Sequence, residues 1–176
     1  MGLAKETSKN QMKYPWLKEG ITAEEALRMI EERIREFGWK IVQGKHLTRS
    51  MANPFTKKVV LRAGIDEGPN AIANKAILLE HETRHIEQWG RVWWKRWFKA
   101  LLYVRPFNPL TRFIMEVQAE GMEAAIRYRL LGYWEVTADL LSGNQKPYYI
   151  DMPIGMPQDA AMGEAKWLIE NASYED

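Results

Sequence analysis

Hydrophobic and polar residues alternate with a helical period in four long segments of the chain. In the first segment, Thr22 and Glu25 form the capping-box pattern that opens a helix, and Gly38 follows the last apolar residue. The same period of about 3.6 residues recurs later, and Gly90 and Gly132 mark two further helix ends. We therefore predict helices over residues 22–37, 71–90, 111–131 and 158–172.

Strand-like patterns lie between the first two predicted helices. Residues 39–42 and 56–65 favour two strands, and residues 44–54 are predicted to form a loop between them. The remaining predicted elements are two shorter helices over 92–104 and 133–141 and a loop over 143–157. Most helices follow the strands, an order that is typical of an α+β fold.

The composition is that of a soluble globular protein, with 46% hydrophobic residues, 27% charged residues and a formal net charge of +2. We expect a single domain at residues 21–176, after a basic N-terminal extension over residues 1–20. Cysteine is absent, which excludes disulfides and thiolate metal sites. No secretory signal and no apolar run long enough to span a bilayer is evident, so we expect a cytoplasmic location.

Candidate chemistry is concentrated at His81-Glu82-x-x-His85, the H-E-x-x-H pattern. On a helix that turns about 100° per residue, the three side chains share one arc and the two imidazoles are one turn apart. Two imidazoles can hold a zinc ion while the adjacent carboxylate accepts a proton from water. The pattern fixes only three positions, so a solvated helix that carries two histidines is the alternative.

A zinc hydrolase usually has a third protein ligand. One longer zinc signature is excluded, because Gln88 and Arg91 stand where that signature requires glycine and histidine. His46 is the only other histidine, and its place in a predicted loop favours a surface residue over a ligand.

The helix predicted over residues 111–131 offers a better candidate. Glu116, Glu120 and Glu123 form an acidic stripe along one face, continued by Arg127. Three carboxylates on one face repel one another unless a metal ion and its histidines compensate them. A solvated face with Arg127 as the partner is the alternative.

The sequence resembles the gluzincin metallopeptidases, in which H-E-x-x-H is followed on a later helix by E-x-x-x-D. The matching residues are His81-Glu82-Thr83-Arg84-His85 and Glu116-Val117-Gln118-Ala119-Glu120. The resemblance covers about residues 75–127. It implies a zincin-like fold, a zinc cofactor held by His81, His85 and Glu116, and Glu82 as the general base.

The resemblance has two further implications. Glu120 stands where the family has an aspartate that hydrogen-bonds a ligand histidine and orients its ring. The longer glutamate is a departure from the family pattern. The family also places an edge strand beside the motif helix, on which peptide substrate adds, and residues 56–65 are the candidate.

These residues predict a zinc-dependent metallopeptidase that hydrolyses peptide bonds through metal-activated water, with Glu82 accepting the proton. A further group is needed to stabilise the oxyanion, and the sequence does not choose among the candidates Tyr103, Tyr128, Tyr133 and Arg127. The alternative function is a non-catalytic metal-binding or regulatory protein on the same zincin-like fold.

Aromatic and basic residues interleave over residues 89–104. This pattern favours an amphipathic helix that packs on the motif helix and forms one wall of the cleft. Tryptophan with lysine and arginine is also typical of helices that lie on a membrane surface, and stacking rings with basic groups can contact nucleic acid. We expect a peptide or protein substrate, with the membrane surface as the main alternative partner.

Overall fold

The computed structural model describes residues 14–44, 47, 50–90, 109–136 and 156–171. In chain order, its elements are a 3-10 turn Pro15–Leu17, helix α1 Ala23–Glu36, strands β1 Lys40–Gln43, β2 Met51–Asn53 and β3 Lys58–Leu61, and helices α2 Ala71–Trp89, α3 Pro109–Leu131 and α4 Met156–Asn171. The described chain is therefore α+β, with one small sheet and a mostly helical remainder, as predicted.

The helices begin and end close to where the sequence predicts. The Thr22 hydroxyl accepts the Glu25 backbone N–H, and the Glu25 carboxylate accepts the Thr22 backbone N–H, each at 3.2 Å. Gly38 follows α1 with φ at 75°, which glycine adopts without strain. Helix α3 begins earlier than predicted, at Pro109, because the fixed φ and missing N–H of proline suit a first helical turn.

Strand β3 is the centre of a three-stranded sheet, parallel to β1 and antiparallel to β2. Strand β2 lies within the predicted loop, and it packs against α2. The prediction that residues 56–65 supply the edge strand beside the motif helix is therefore wrong, since they contribute only the inner strand. The Asn53 side chain accepts the N–H groups of Phe55 and Thr56 at 3.0 and 3.1 Å, so the chain turns before β3 begins.

Tyr14 and Trp16, near the end of the predicted N-terminal extension, are buried in the hydrophobic core. The Arg84 guanidinium on α2 donates to the Tyr14 hydroxyl at 2.8 Å, and the same nitrogen lies 3.4 Å from the Glu87 carboxylate. Burial raises the pKa of Tyr14 to about 12, although Arg84 opposes the shift. Arg33 on α1 also binds Glu87, at 3.1 Å, so these contacts join the N-terminal turn and α1 to α2.

Several predictions lie wholly or partly outside the described residues. These are the helix over 92–104, most of the loop over 143–157, and the candidates His46 and Tyr103. Of the short helix predicted over 133–141, residues 133–136 are described and are not helical. Among the helices that the structure describes, none combines the length and the apolar character needed to cross a membrane.

Candidate metal centre

Helices α2 and α3 pack against each other and enclose a group of polar side chains. His81, Glu82 and His85 on α2 are 8%, 7% and 4% exposed, and Glu116 and Glu120 on α3 are 2% and 1% exposed. Such side chains are rarely buried unless they are paired or bind a metal. The solvated-face alternatives are therefore wrong for both helices, and the two faces form one internal polar site.

Three side-chain atoms in this site converge on a common point. His81 Nε2 lies 3.2 Å from His85 Nε2, and Glu116 Oε2 lies 3.9 Å from the first nitrogen and 3.5 Å from the second. A point equidistant from the three atoms lies about 2.1 Å from each, which matches the bond lengths of about 2.0–2.2 Å for zinc with imidazole and carboxylate. The three residues could therefore hold a metal ion.

The orientation of His85 is set by Gln88, one turn later on α2. The Gln88 side-chain Nε2 donates to the Met115 backbone oxygen at 2.9 Å and to Gln118 Oε1 at 3.2 Å. Because the Met115 carbonyl can only accept, the amide NH₂ group of Gln88 faces α3 and its Oε1 faces His85 Nδ1, 2.9 Å away. His85 therefore carries its proton on Nδ1 and directs the lone pair of Nε2 into the site.

An aromatic stack supports the same histidine. The His85 ring stacks on Trp89 with centroids 5.8 Å apart, and Trp89 stacks on Trp39 at 5.7 Å. Trp89 is the first residue of the aromatic-basic segment, and at 2% exposure it belongs to the core. The stack limits rotation of the His85 ring, so the position of this candidate ligand is fixed both by hydrogen bonding and by packing.

The second nitrogen of His81 faces carboxylates on α3. Nδ1 lies 3.1 Å from Glu123 Oε2 and 3.8 Å from Glu120 Oε1, so only Glu123 is within hydrogen-bonding distance. Burial lowers the pKa of His81, but the contact with Glu123 and the charges of Glu82 and Glu120 outweigh it and raise the pKa to about 10. Without a metal ion, this imidazole is therefore protonated at neutral pH.

Arg127 holds Glu123 from the other side. Its guanidinium binds Glu123 Oε1 at 2.5 Å and also binds Glu135, in the segment that follows α3. Burial works against the charge of Glu123, but His81 and Arg127 lower its pKa. Arg127, a candidate oxyanion donor, is thus already engaged by two carboxylates.

Glu82 is held by the edge of the sheet. Its Oε2 accepts the backbone N–H of Ala52 in β2 at 2.6 Å. That N–H points away from the antiparallel partner β3, because it is directed at α2. The contact places the candidate base beside the exposed edge of a strand, and it leaves the second carboxylate oxygen to act on a proton.

The remaining candidate donors lie on or after the last turns of α3. Tyr128 stacks on Trp134 with centroids 4.2 Å apart, and Tyr133 is 48% exposed. No contact between either hydroxyl and the histidine–glutamate site is present among the described residues. Gln88 and Glu123 were not predicted as partners of the two histidines, although Gln88 stands one turn after His85 and Glu123 two turns after Glu116.

Comparison with known proteins adds no relative. No protein-family model matches the chain, and neither curated proteins nor solved structures show a significant match to it.

Proposed function

We propose that the protein is a zinc-dependent peptidase with a zincin-like fold, in which His81, His85 and Glu116 hold the metal ion and Glu82 is the general base. The observation that carries the proposal is the convergence of two imidazole nitrogens and a carboxylate oxygen inside a buried site. Gln88 directs the lone pair of His85 towards the same point. Without a metal, a proton on His81 can hold these atoms together; with His81 deprotonated, the three electron pairs match a bound cation, and two nitrogens with one carboxylate are a typical ligand set of catalytic zinc.

A bound zinc ion would supply a Lewis acid and would lower the pKa of a coordinated water to about 7. Glu82 adjoins the ligand His81 in sequence and shares the buried face of α2. Since Ala52 engages Oε2, the other oxygen of Glu82 would accept the proton of the attacking water and later return it to the leaving amine. A general base of this kind contributes about 10²–10⁴-fold to the rate.

Strand β2 is the surface that would align the substrate. It is the edge strand nearest the site, and at Ala52 its backbone faces outwards from the sheet. An extended peptide can add to such an edge through main-chain hydrogen bonds, and here it would pair with the Ala52 carbonyl, because Glu82 already binds the Ala52 N–H. This geometry supports a peptide substrate over a small molecule.

The test measures zinc content and cleavage of unstructured peptides on the same samples. We expect about one zinc per chain in the wild-type protein. Glu116→Ala should lose most of the metal and the activity. Glu82→Gln should keep the metal and lose cleavage by about 10²–10⁴-fold. Glu36→Gln, on the exposed surface of α1, is the matched control and should change neither.

Two results would contradict the proposal in different ways. A wild-type protein that holds no zinc, or a Glu116→Ala variant that binds it as tightly, would remove the ligand assignment. Full zinc occupancy with peptide cleavage that persists in Glu82→Gln would remove Glu82 as the base. Occupancy without any cleavage would leave a metal-binding protein without peptidase activity.

A further inference from the structure

We propose that Glu123, clamped by Arg127, is the positioning residue that orients the ligand His81, and that Glu120 does not have this role. The inference rests on the metal centre of the proposed function. It changes which carboxylate orients the His81 ring, because the resemblance to the gluzincins places that role four residues after Glu116, at Glu120.

Distance separates the two carboxylates. Glu120 and Glu123 both point from α3 towards His81, but Nδ1 lies 3.1 Å from Glu123 and 3.8 Å from Glu120. A separation of 3.1 Å permits a charge-assisted hydrogen bond, whereas 3.8 Å does not. The carboxylate that contacts the ring is therefore the one at the seventh position after Glu116.

The clamp on Glu123 supplies the second line of reasoning. Arg127 follows Glu123 by four residues on α3, so the two side chains share one face, and their charged groups are 2.5 Å apart. Arg127 is itself tied to Glu135 beyond the end of the helix. A carboxylate paired in this way accepts hydrogen bonds and donates none, so the nitrogen that it faces must carry the proton.

This arrangement fixes the form of His81 that can bind a metal ion. With the proton on Nδ1, the lone pair of Nε2 points towards His85 and Glu116, where the three donor atoms converge. The two histidines are thus oriented by different means, since a neutral amide holds His85 and a negative carboxylate holds His81. A carboxylate partner also makes the imidazole a stronger donor to the metal.

Shortening each glutamate while keeping its charge tests the inference. Glu123→Asp withdraws the carboxylate from Nδ1, and we expect zinc affinity to fall by about 10–100-fold. Glu120→Asp, the comparison variant, shortens a carboxylate that already lies 3.8 Å from Nδ1, beyond hydrogen-bonding distance, and should alter affinity by less than about threefold. Affinity is measured by competition with a chelator at one fixed pH, on variants whose far-ultraviolet circular dichroism matches the wild type.

Several outcomes would overturn the inference. Equal affinities for Glu123→Asp and wild type would do so, and so would a larger loss, or a gain, in Glu120→Asp. Two zinc ions per chain would show that Glu123 is a ligand of a second metal ion instead of a positioning residue.

A measurement on the wild-type protein does not depend on how the variants fold. In the zinc-loaded protein, long-range ¹H–¹⁵N correlation spectra should assign Nδ1–H to His81, with the proton shifted downfield by a carboxylate acceptor. Metal coordination through Nδ1 would overturn the inference. If the proposed function is wrong, the wild-type protein will bind no zinc or cleave no peptide. If the wild-type protein binds zinc and Glu123→Asp binds it equally tightly, only the present inference is contradicted.

Discussion

Replacing Gln88 with methionine should weaken metal binding without touching a ligand. Methionine is similar in size but removes the bond to His85 Nδ1 at 2.9 Å and the two bonds to α3, at 2.9 Å to Met115 and 3.2 Å to Gln118. The His85 ring remains stacked on Trp89, so the ring stays in place while its proton loses the acceptor that fixes it. The effect therefore isolates hydrogen bonding from packing.

The magnitude follows from the buried proton. A buried donor without an acceptor costs about 1–3 kcal/mol, and loss of a group that orients a ligand typically lowers metal affinity by about 10–100-fold, or about 1.4–2.7 kcal/mol. Gln118→Met removes only the contact at 3.2 Å and leaves His85 with its acceptor. We expect that variant to bind zinc within about threefold of the wild type.

Zinc affinity is measured by chelator competition on the wild type and both variants at the same pH. Chemical denaturation without metal gives the stability of each variant, because Gln88 also joins α2 to α3. If Gln88→Met binds zinc as tightly as Gln118→Met, the Gln88 amide does not determine which ring nitrogen of His85 carries the proton. The orientation of His85 by Gln88 would then be refuted.

Two further predictions concern pH and packing. Because the pKa of His81 is raised to about 10, zinc must displace a proton from its imidazole at any lower pH. Zinc affinity should therefore fall about tenfold for each unit that the pH is lowered from about 9 to about 7. Chelator titrations that show the same zinc affinity across that range would refute the raised pKa of His81. Gly121→Ala should lower the free energy of unfolding by about 1–3 kcal/mol, because its Cβ would lie 2.7 Å from Glu164 carbons. Gly163→Ala, where a Cβ meets nothing within 4 Å, should instead stabilise α4 by about 0.5–1 kcal/mol, and equal effects in denaturation would contradict this packing.

The helices could be predicted from the sequence because their signals are local. The capping box at Thr22 and the apolar period of α2 need no information from elsewhere in the chain. Strand β2 has no such signal, since only three residues pair with β3 and one of them is tied to Glu82 on α2. Its position depends on contacts between elements, which a periodic pattern does not encode.

The candidate site divides in the same way. The spacing of His81 and His85 places both rings on one arc of a helix, and the structure brings Glu116 from α3 to the same point. The partners of the two rings depend on how α2 and α3 are rotated and shifted against each other. His81 Nδ1 lies 3.1 Å from the Glu123 carboxylate and 3.8 Å from the Glu120 carboxylate, and this difference decides which of the two accepts its hydrogen bond. No sequence pattern resolves so small a difference in distance.

The contact between Glu82 and Ala52 also covers a main-chain donor at the edge of the sheet, where a second chain could otherwise pair. An exposed edge strand is a template on which another copy of a chain can pair, and proteins often block such edges with charges, prolines or short strands. Strand β2 is only three residues long, its outward N–H at Ala52 is covered by a carboxylate, and Pro54 follows with no N–H to offer. Truncating Glu82 to alanine would uncover this donor, so we expect Glu82→Ala to aggregate more readily than Glu82→Gln, whose amide oxygen can still cover it.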